Sequence, residues 1–385
     1  MSAPPPVQTP PGPSAPGHGA HGGWAPVAGH GAPPTGATVT APRGGLARLR
    51  AALAKYGRVL WWGHSFYALG LGIFVVLFAA KGFAHARFLT ITLAAVWLIL
   101  ILFFRLFGSG AAQQVEGKGA KVRFFVMTYV LKNMYQGMLF FLLPFYWRSV
   151  TFDSSNRWFM LALGLCAALS TLDVVFDRML MRWKTAASVF YFFTLFACLN
   201  LVVPALLPNL RAALTLAIAA AVSALAFWTM HVPLRLLGRP AGATLLVGWT
   251  LASLAGAWYG RTVVPPVAMN LRSAAVGPKL LDDGRLAIEV SSIHSSLVHE
   301  LFAVTDVFTP GGKGERLIHE WRHEGELVQR STDVDPHPQG LWDTVRLRSQ
   351  IASDALPAST VGAWTVDVLT DDDQLVGRAH FTVIE

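Results

Sequence analysis

Cysteine is nearly missing from this chain of 385 residues: there are two, Cys166 and Cys198, both inside apolar segments. A disulfide framework is therefore excluded for the C-terminal part, and cysteine usage assigns no compartment. Charge is scarce as well. Only 14% of residues are charged and 53% are hydrophobic, whereas a soluble domain carries about 25% charged residues. Acid is scarcest before residue 271, where Glu116, Asp153, Asp173 and Asp177 are the only four carboxylates. Residues 1–42 contain no long apolar run, so the first apolar segment after them is expected to act as the insertion signal. No G-x-x-x-x-G-K-[ST], no G-x-S-x-G and no cysteine cluster occurs. The common phosphate-loop, hydrolase and structural-zinc signatures are thereby removed.

What is present divides sharply. Residues 1–42 are rich in Pro, Gly and Ala, with His18, His21 and His30 loosely spaced. Such a segment buries too little apolar surface to fold, so it reads as a disordered tail rather than a metal-binding tract. Residues 43–58 set Leu46, Leu49 and Leu53 among Arg and Lys, the pattern of a basic amphipathic helix on an anionic membrane surface. Seven apolar segments follow, at 60–80, 88–108, 124–147, 158–180, 186–207, 212–230 and 241–264. Each approaches the roughly 20 residues that span a bilayer.

The loops between these segments alternate in charge, with fourteen Lys/Arg on one side and six on the other. By the positive-inside rule the N-terminus is cytoplasmic, and seven crossings put the C-terminal part outside, in the periplasm of a bacterial inner membrane. The net charge of +9 hides an asymmetry: residues 271–385 hold 10 basic and 18 acidic residues, the remainder 21 and 4. The basic residues sit at the ends of apolar segments, which argues for orientation in a membrane and against nucleic acid as a partner.

After residue 271 the period changes. "ELFAVTDVF", "RLIHEWRH", "LWDTVRLRS", "AWTVDVLT" and "LVGRAHFTVI", with "RLAIEVSSI" and "ELVQRSTDV", are short and rich in β-branched and aromatic residues. Turn signals such as Asp282-Asp283-Gly284 and Asp371-Asp372-Asp373 separate them. About seven such strands read as an immunoglobulin-like β-sandwich over 271–385. The expected fold class is a multi-domain membrane protein, an all-α seven-helix transmembrane bundle over 60–264 followed by an all-β sandwich. Trp364, Val366 and Val368 share one face of their strand, which belongs in the core, and Thr365 and Asp367 share the other.

One catalytic pattern does occur. His319-Glu320-Trp321-Arg322-His323 fits H-E-x-x-H, which on a helix gives a zinc peptidase two metal ligands and a general base. The neighbouring residues favour a strand: Leu317, His319, Trp321 and His323 alternate with Ile318, Glu320 and Arg322, and Gly325 follows as a turn. On a strand the two imidazoles stand roughly 13 Å apart, too far to share an ion. His319 and His323 are therefore rejected as metal ligands and expected as partly exposed neighbours of a core Trp321. No metal or cofactor is assigned.

Together, "IHEWRHEGELVQ", "LWDTVRLRS" and "GAWTVDVLTDDDQLVGRAHFTV" resemble a C-terminal domain of unknown function found in bacterial proteins. The markers are Trp321, Gly325, Trp342, Ser349, Gly362, Trp364, Val366, Val368, Phe381 and Val383. "LWWGHSFYALGLGIFVV" resembles the first helix of multi-pass proteins that carry such a domain. The resemblance implies an architecture and no activity.

The other chemical feature lies within the membrane segments. Lys132, Asn133 and Gln136 interrupt the segment at 124–147, and a charge near the bilayer centre costs about 2.5–3.5 kcal/mol on insertion scales, so it needs a partner. Asp173 and Asp177, four apart and on one helical face with Ser170, are the candidates. Similar depth from the cytoplasmic side predicts a Lys132–Asp173 ion pair, with Asp177 nearer the interface and His64 at the same level. Such a cluster either ties helices together or forms an ion, proton or lipid-headgroup site.

Three functions follow from these features. The first is a non-enzymatic membrane protein that displays the sandwich to a periplasmic protein or envelope polymer. The second is a small transporter or channel that uses the polar cluster. The third is the metallopeptidase, which the strand reading disfavours.

Overall fold

The structure, a computed structural model, describes residue 70 and residues 86–385, apart from 208–209, 233–235, 237–238, 268, 310–315, 332–336, 339–343 and 352. The tail, the basic amphipathic segment, the apolar segment at 60–80 with His64, and Trp342 lie outside the described residues. The helical and sheet regions fall within one compact unit, residues 58–385.

Six helices of fifteen residues or more are described: α1 (Ala86–Phe107), α2 (Lys118–Ser149), α3 (Arg157–Thr171), α4 (Lys184–Leu206), α5 (Ala212–His231) and α6 (Pro240–Tyr259). In α1 a stripe of Leu89, Leu93, Val96, Leu100, Phe103 and Phe107 is buried, at alternating spacings of three and four. The opposite face, with Ile91, Leu98, Leu102 and Leu106, is exposed and equally apolar. A water-facing helix would be polar there, so this surface suits lipid. Helix α6 goes further: Leu245, Val247, Trp249 and Leu251 are all exposed.

Among the described residues four helices are long and apolar enough to cross a membrane: α1 from Leu89, α4, α5 and α6. The bent pair Arg157–Thr171 and Asp173–Leu180 makes a fifth if it is taken as one span. Helix α2 has the length, 32 residues, but Lys132, Asn133 and Gln136 lower its apolarity.

The expected continuous helix at 158–180 is broken. Helix α3 ends at Thr171, Leu172 is extended, and Asp173–Leu180 leaves at 89°, its last turn (Phe176–Leu180) π-helical. The cause is local. Ser170 and Thr171 turn their hydroxyls back to the carbonyls of Ala167 and Ala168, both at 2.6 Å, a bond that competes with the helix ladder and bends it. Helix α2 also begins earlier than expected. Lys132 stands fourteen residues from its start at Lys118, about 21 Å along the axis.

Nine strands follow: β1 (Asn270–Gly277), β2 (Ser292–His294), β3 (Leu301–Phe308), β4 (Leu317–His323), β5 (Glu326–Ser331), β6 (His337–Pro338), β7 (Thr344–Ile351), β8 (Gly362–Thr370) and β9 (Leu375–Ile384). One sheet runs β1-β3-β7-β6 and the other β2-β9-β8-β4-β5; all pairs are antiparallel except β2–β9. Of "RLAIEVSSI" only Ser292 and Ile293 fall in a named strand, β2, while β1 arises from "NLRSAAVG", outside the strands expected from sequence. The sheets enclose Trp321, Trp364 and Phe381 from one side and Leu301, Ala303 and Ile351 from the other. The rings of Trp364 and Phe381 stack at 5.8 Å. The β4–β5 hairpin closes through Glu324 (φ 51°) and Gly325 (φ 86°), positive values that favour glycine and a two-residue turn.

Candidate functional site

The letters H-E-W-R-H stand on β4, and each residue has its own task. His319 is fully buried, which corrects the expectation of a partly exposed ring. Its two nitrogens lie 2.9 Å from Thr305 Oγ1 and 2.7 Å from Ser349 Oγ, and Trp321 Nε1 donates to the same Ser349 oxygen at 3.1 Å. Burial pushes the imidazole down to about 4, so it is neutral at physiological pH. His323 is half-buried; it tilts against the Trp364 ring at 4.7 Å, and its Nε2 lies 3.0 Å from the Val361 carbonyl. Beside it Glu324 accepts from the Ala363 amide at 2.6 Å. Gly362, with φ 134°, leaves room for this contact: a Cβ there would lie 2.3 Å from Glu324 Oε1.

Glu320 and Arg322 point the other way, onto the outer face of the five-stranded sheet. There the register aligns Arg330 (β5), Glu320 (β4), Asp367 (β8) and Arg378 (β9) in one row. Glu320 and Asp367 are directly opposed and buried, an arrangement that like charges alone would destabilise. Arginines resolve it. Arg322 reaches Glu320 at 2.8 Å and Asp367 at 3.5 Å, Arg330 reaches Glu320 at 3.4 Å, and Arg378 reaches Asp367 at 2.8 Å. Asp367, on the face of β8 opposite Trp364, is buried in this way, and the carboxylate holds Arg378 even more firmly protonated than usual.

The row continues into the helical region at both ends. Arg378 bonds Asp153, in the α2–α3 loop, at 3.0 Å, and His380 meets the same carboxylate at 3.0 Å. At the other end Arg330 bonds Asp373 at 2.7 Å, and Asp373 bonds Arg261, just past α6, at 3.3 Å. The β8–β9 turn itself is clamped. Arg261 Nε donates to the Asp372 carbonyl at 2.8 Å, Gln374 Nε2 to the Val264 carbonyl at 3.0 Å, and the Ala213 amide to Asp372 Oδ2 at 3.3 Å. Sequence reading missed Asp153, Arg261 and Gln374. The first two were visible only as rare charges at segment ends; nothing in the sequence marked Gln374.

The second polar site lies in the helical region. Lys132, on α2, is buried and forms an ion pair with Asp173, in the bent continuation of α3. Because the chain turns at Leu172, it is the bend, not a shared depth on two straight helices, that aims Asp173 at Lys132. The pair lines a cavity of about 300 Å³ together with Phe125, Thr128, Tyr129, Val174, Asp177 and Arg178. Asn133 is not part of it; its amide donates to the Tyr129 carbonyl of its own helix at 2.8 Å. Gln136 is buried elsewhere on α2, and neither carboxamide atom has a hydrogen-bond partner among the described residues.

A polar, broken helical region with lipid-suited faces, carrying a two-sheet domain clamped to its ends, defines a membrane-associated protein class without a recognisable catalytic centre among the described residues. Within that class the chain belongs to a family of unknown function, DUF5924, whose model matches residues 44–300. A second model, the protein of unknown function DUF2914, matches residues 314–383. No curated protein and no solved structure matches the chain. The two matches cut through the sheets: β1 and β2 lie in the first, β4 to β9 in the second, yet β2 pairs with β9. The two-sheet domain is thus built from both family regions.

Proposed function

We propose that the protein is a multi-pass inner-membrane protein whose immunoglobulin-like β-domain is held rigidly in the periplasm as a binding module for an envelope protein or polymer. The observation that carries this reading is the clamp. Both ends of the buried charge row, and the β8–β9 turn, are tied to the same end of the helical region. A module on a loose tether would need no such contacts; a module that must present one surface at a fixed height does. The orientation draws support from charge. Among the described residues, the helix ends and loops away from the β-domain carry Arg105, Lys118, Lys121, Arg123, Arg178, Arg182, Lys184 and Arg239. Those beside it carry Arg148, Arg157, Arg211 and Arg261, a bias that puts the β-domain outside.

Cysteine labelling tests the topology. In a chain with Cys166 and Cys198 replaced by Ala, Glu326→Cys reacts with a membrane-impermeant maleimide in intact spheroplasts. Glu116→Cys reacts only after permeabilisation. The reverse pattern would refute the reading. The transporter reading rests on the cavity at Lys132 alone, and it requires a substrate flux that Lys132→Ala abolishes.

A further inference from the structure

The cavity between α2 and the bent segment contains four charges in two different states. Lys132 and Asp173 neutralise one another. Asp177 and Arg178, although neighbours in sequence and both lining the cavity, form no ion pair or hydrogen bond with each other or with any other described residue. Asp177 is half-buried, and an acid left open in a partly enclosed site is costly unless something pairs with it, while Arg178 stands exposed at the mouth as a cation beside it. The four charges sum to zero, so a ligand with net charge would leave one of them uncompensated. A zwitterion that carries one cation and one anion would not.

Size and surroundings narrow the choice. A cavity of about 300 Å³ stands at the small end of ligand sites, enough for a headgroup and too small for a whole lipid. Its rim is apolar and open: Phe125 and Val174 are exposed at 66% and 47%, and Phe125 stacks on Tyr129 at 6.2 Å. Leu172, Met179 and Trp183 continue this exposed apolar surface along the bent segment, with the Arg182 guanidinium over the Trp183 ring at 5.9 Å. A ring paired with a cation in this way is typical of the membrane–water interface. The cavity therefore opens where a headgroup lies and where acyl chains can follow the apolar rim.

We propose that this cavity binds the headgroup of an amine-bearing zwitterionic phospholipid, phosphatidylethanolamine, with the ammonium on Asp177 and the phosphate on Arg178. An ammonium offers three N–H donors to the open carboxylate, and a guanidinium suits phosphate by geometry and charge. Phosphatidylcholine offers no donor to Asp177, and phosphatidylglycerol has no cation for it. The site goes beyond the binding-module reading and shares with it only the bilayer placement. A failed topology test and a failed lipid test are therefore separate results.

The test is native mass spectrometry of the full chain, stripped of lipid in detergent and then given phosphatidylethanolamine, phosphatidylglycerol or phosphatidylcholine. One phosphatidylethanolamine is retained per chain in preference to the other two. Asp177→Asn lowers that retention about tenfold, as does Arg178→Gln, and neither lowers the melting temperature of the lipid-free chain, since neither side chain has an ion pair or hydrogen bond to lose. Equal retention of phosphatidylglycerol, or unchanged retention of phosphatidylethanolamine by Asp177→Asn, would overturn the proposal. Soluble phosphoethanolamine that bound as tightly as the lipid would overturn the lipid assignment in favour of a soluble ligand of the same chemistry.

Discussion

Both regions of the molecule bury charge, and they leave it in opposite conditions. On the β-domain Glu320 and Asp367 face each other across two strands, and Arg322, Arg330 and Arg378 pair with both carboxylates. In the helical region Lys132 and Asp173 close one pair, and Asp177 and Arg178 beside them stay open. The contrast separates two uses of charge. A completed network fixes register and joins domains; an incomplete one leaves an interaction for a ligand to make.

The comparison can be broken where the closed network is opened. Asp367→Ala leaves Arg378 and Arg322 without their shared carboxylate, and removal of one partner from a buried pair costs about 3–5 kcal/mol. The urea midpoint of the β-domain, followed by tryptophan fluorescence, should fall accordingly. A shift no larger than that of a surface substitution, about 0.5 kcal/mol, would show that the row is not a network.

Acid probes the neutral side of the same domain. The folded His319 imidazole is held at about 4, below its ordinary value of about 6.5. The unfolded chain therefore binds the extra proton first. This contribution is complete above pH 6.5 and is lost as pH falls from 6.5 towards 4, on the order of 3 kcal/mol in all. A unfolding free energy that stays flat over that range, once the carboxylates are accounted for, would contradict the buried neutral ring. Asp306, held below the usual carboxylate range by its hydrogen bond from Arg346, adds a further loss in the same direction at lower pH.

Smaller effects test the joints. Gly362→Ala forces a side chain into φ 134° and against Glu324, a strain of roughly 1–3 kcal/mol that a thermal melt would register. Arg261→Ala removes one of the contacts that clamp the β8–β9 turn and leaves those of Gln374 and the Ala213 amide. Asp373 is 41% exposed on its side chain, so water screens that ion pair and the stability cost stays near 1 kcal/mol or less. Its clearer signature is faster amide hydrogen exchange at residues 371–374.

Much of this was legible in the sequence, for physical reasons that differ by element. Helices α1, α4, α5 and α6 declare themselves through local apolarity, and β3, β4, β8 and β9 through alternation, because both signals are contained within the element. Lys132 and Asp173 could be paired because so few carboxylates compete for that lysine. The break at Leu172 was hidden: nothing in "LSTLDVV" breaks a helix by composition, and the Ser170 and Thr171 back-bonds act only once the helix exists. The charge row was hidden more deeply. Arg330, Glu320, Asp367 and Arg378 align only when three strand pairings take their register, and register is a property of the sheet. The same limit explains His319, whose burial depends on β3 and β7 and not on β4.

The central claim is that the β-domain is fixed to the helix ends through the turn at 371–374. The most direct measurement is a disulfide cross-link in native membranes between Ala213→Cys and Asp372→Cys, in a chain with Cys166 and Cys198 replaced by Ala. The contact between the Ala213 amide and the Asp372 carboxylate predicts near-complete cross-linking under mild oxidation. Two free thiols under the same conditions would contradict the clamp and return the β-domain to a loose tether.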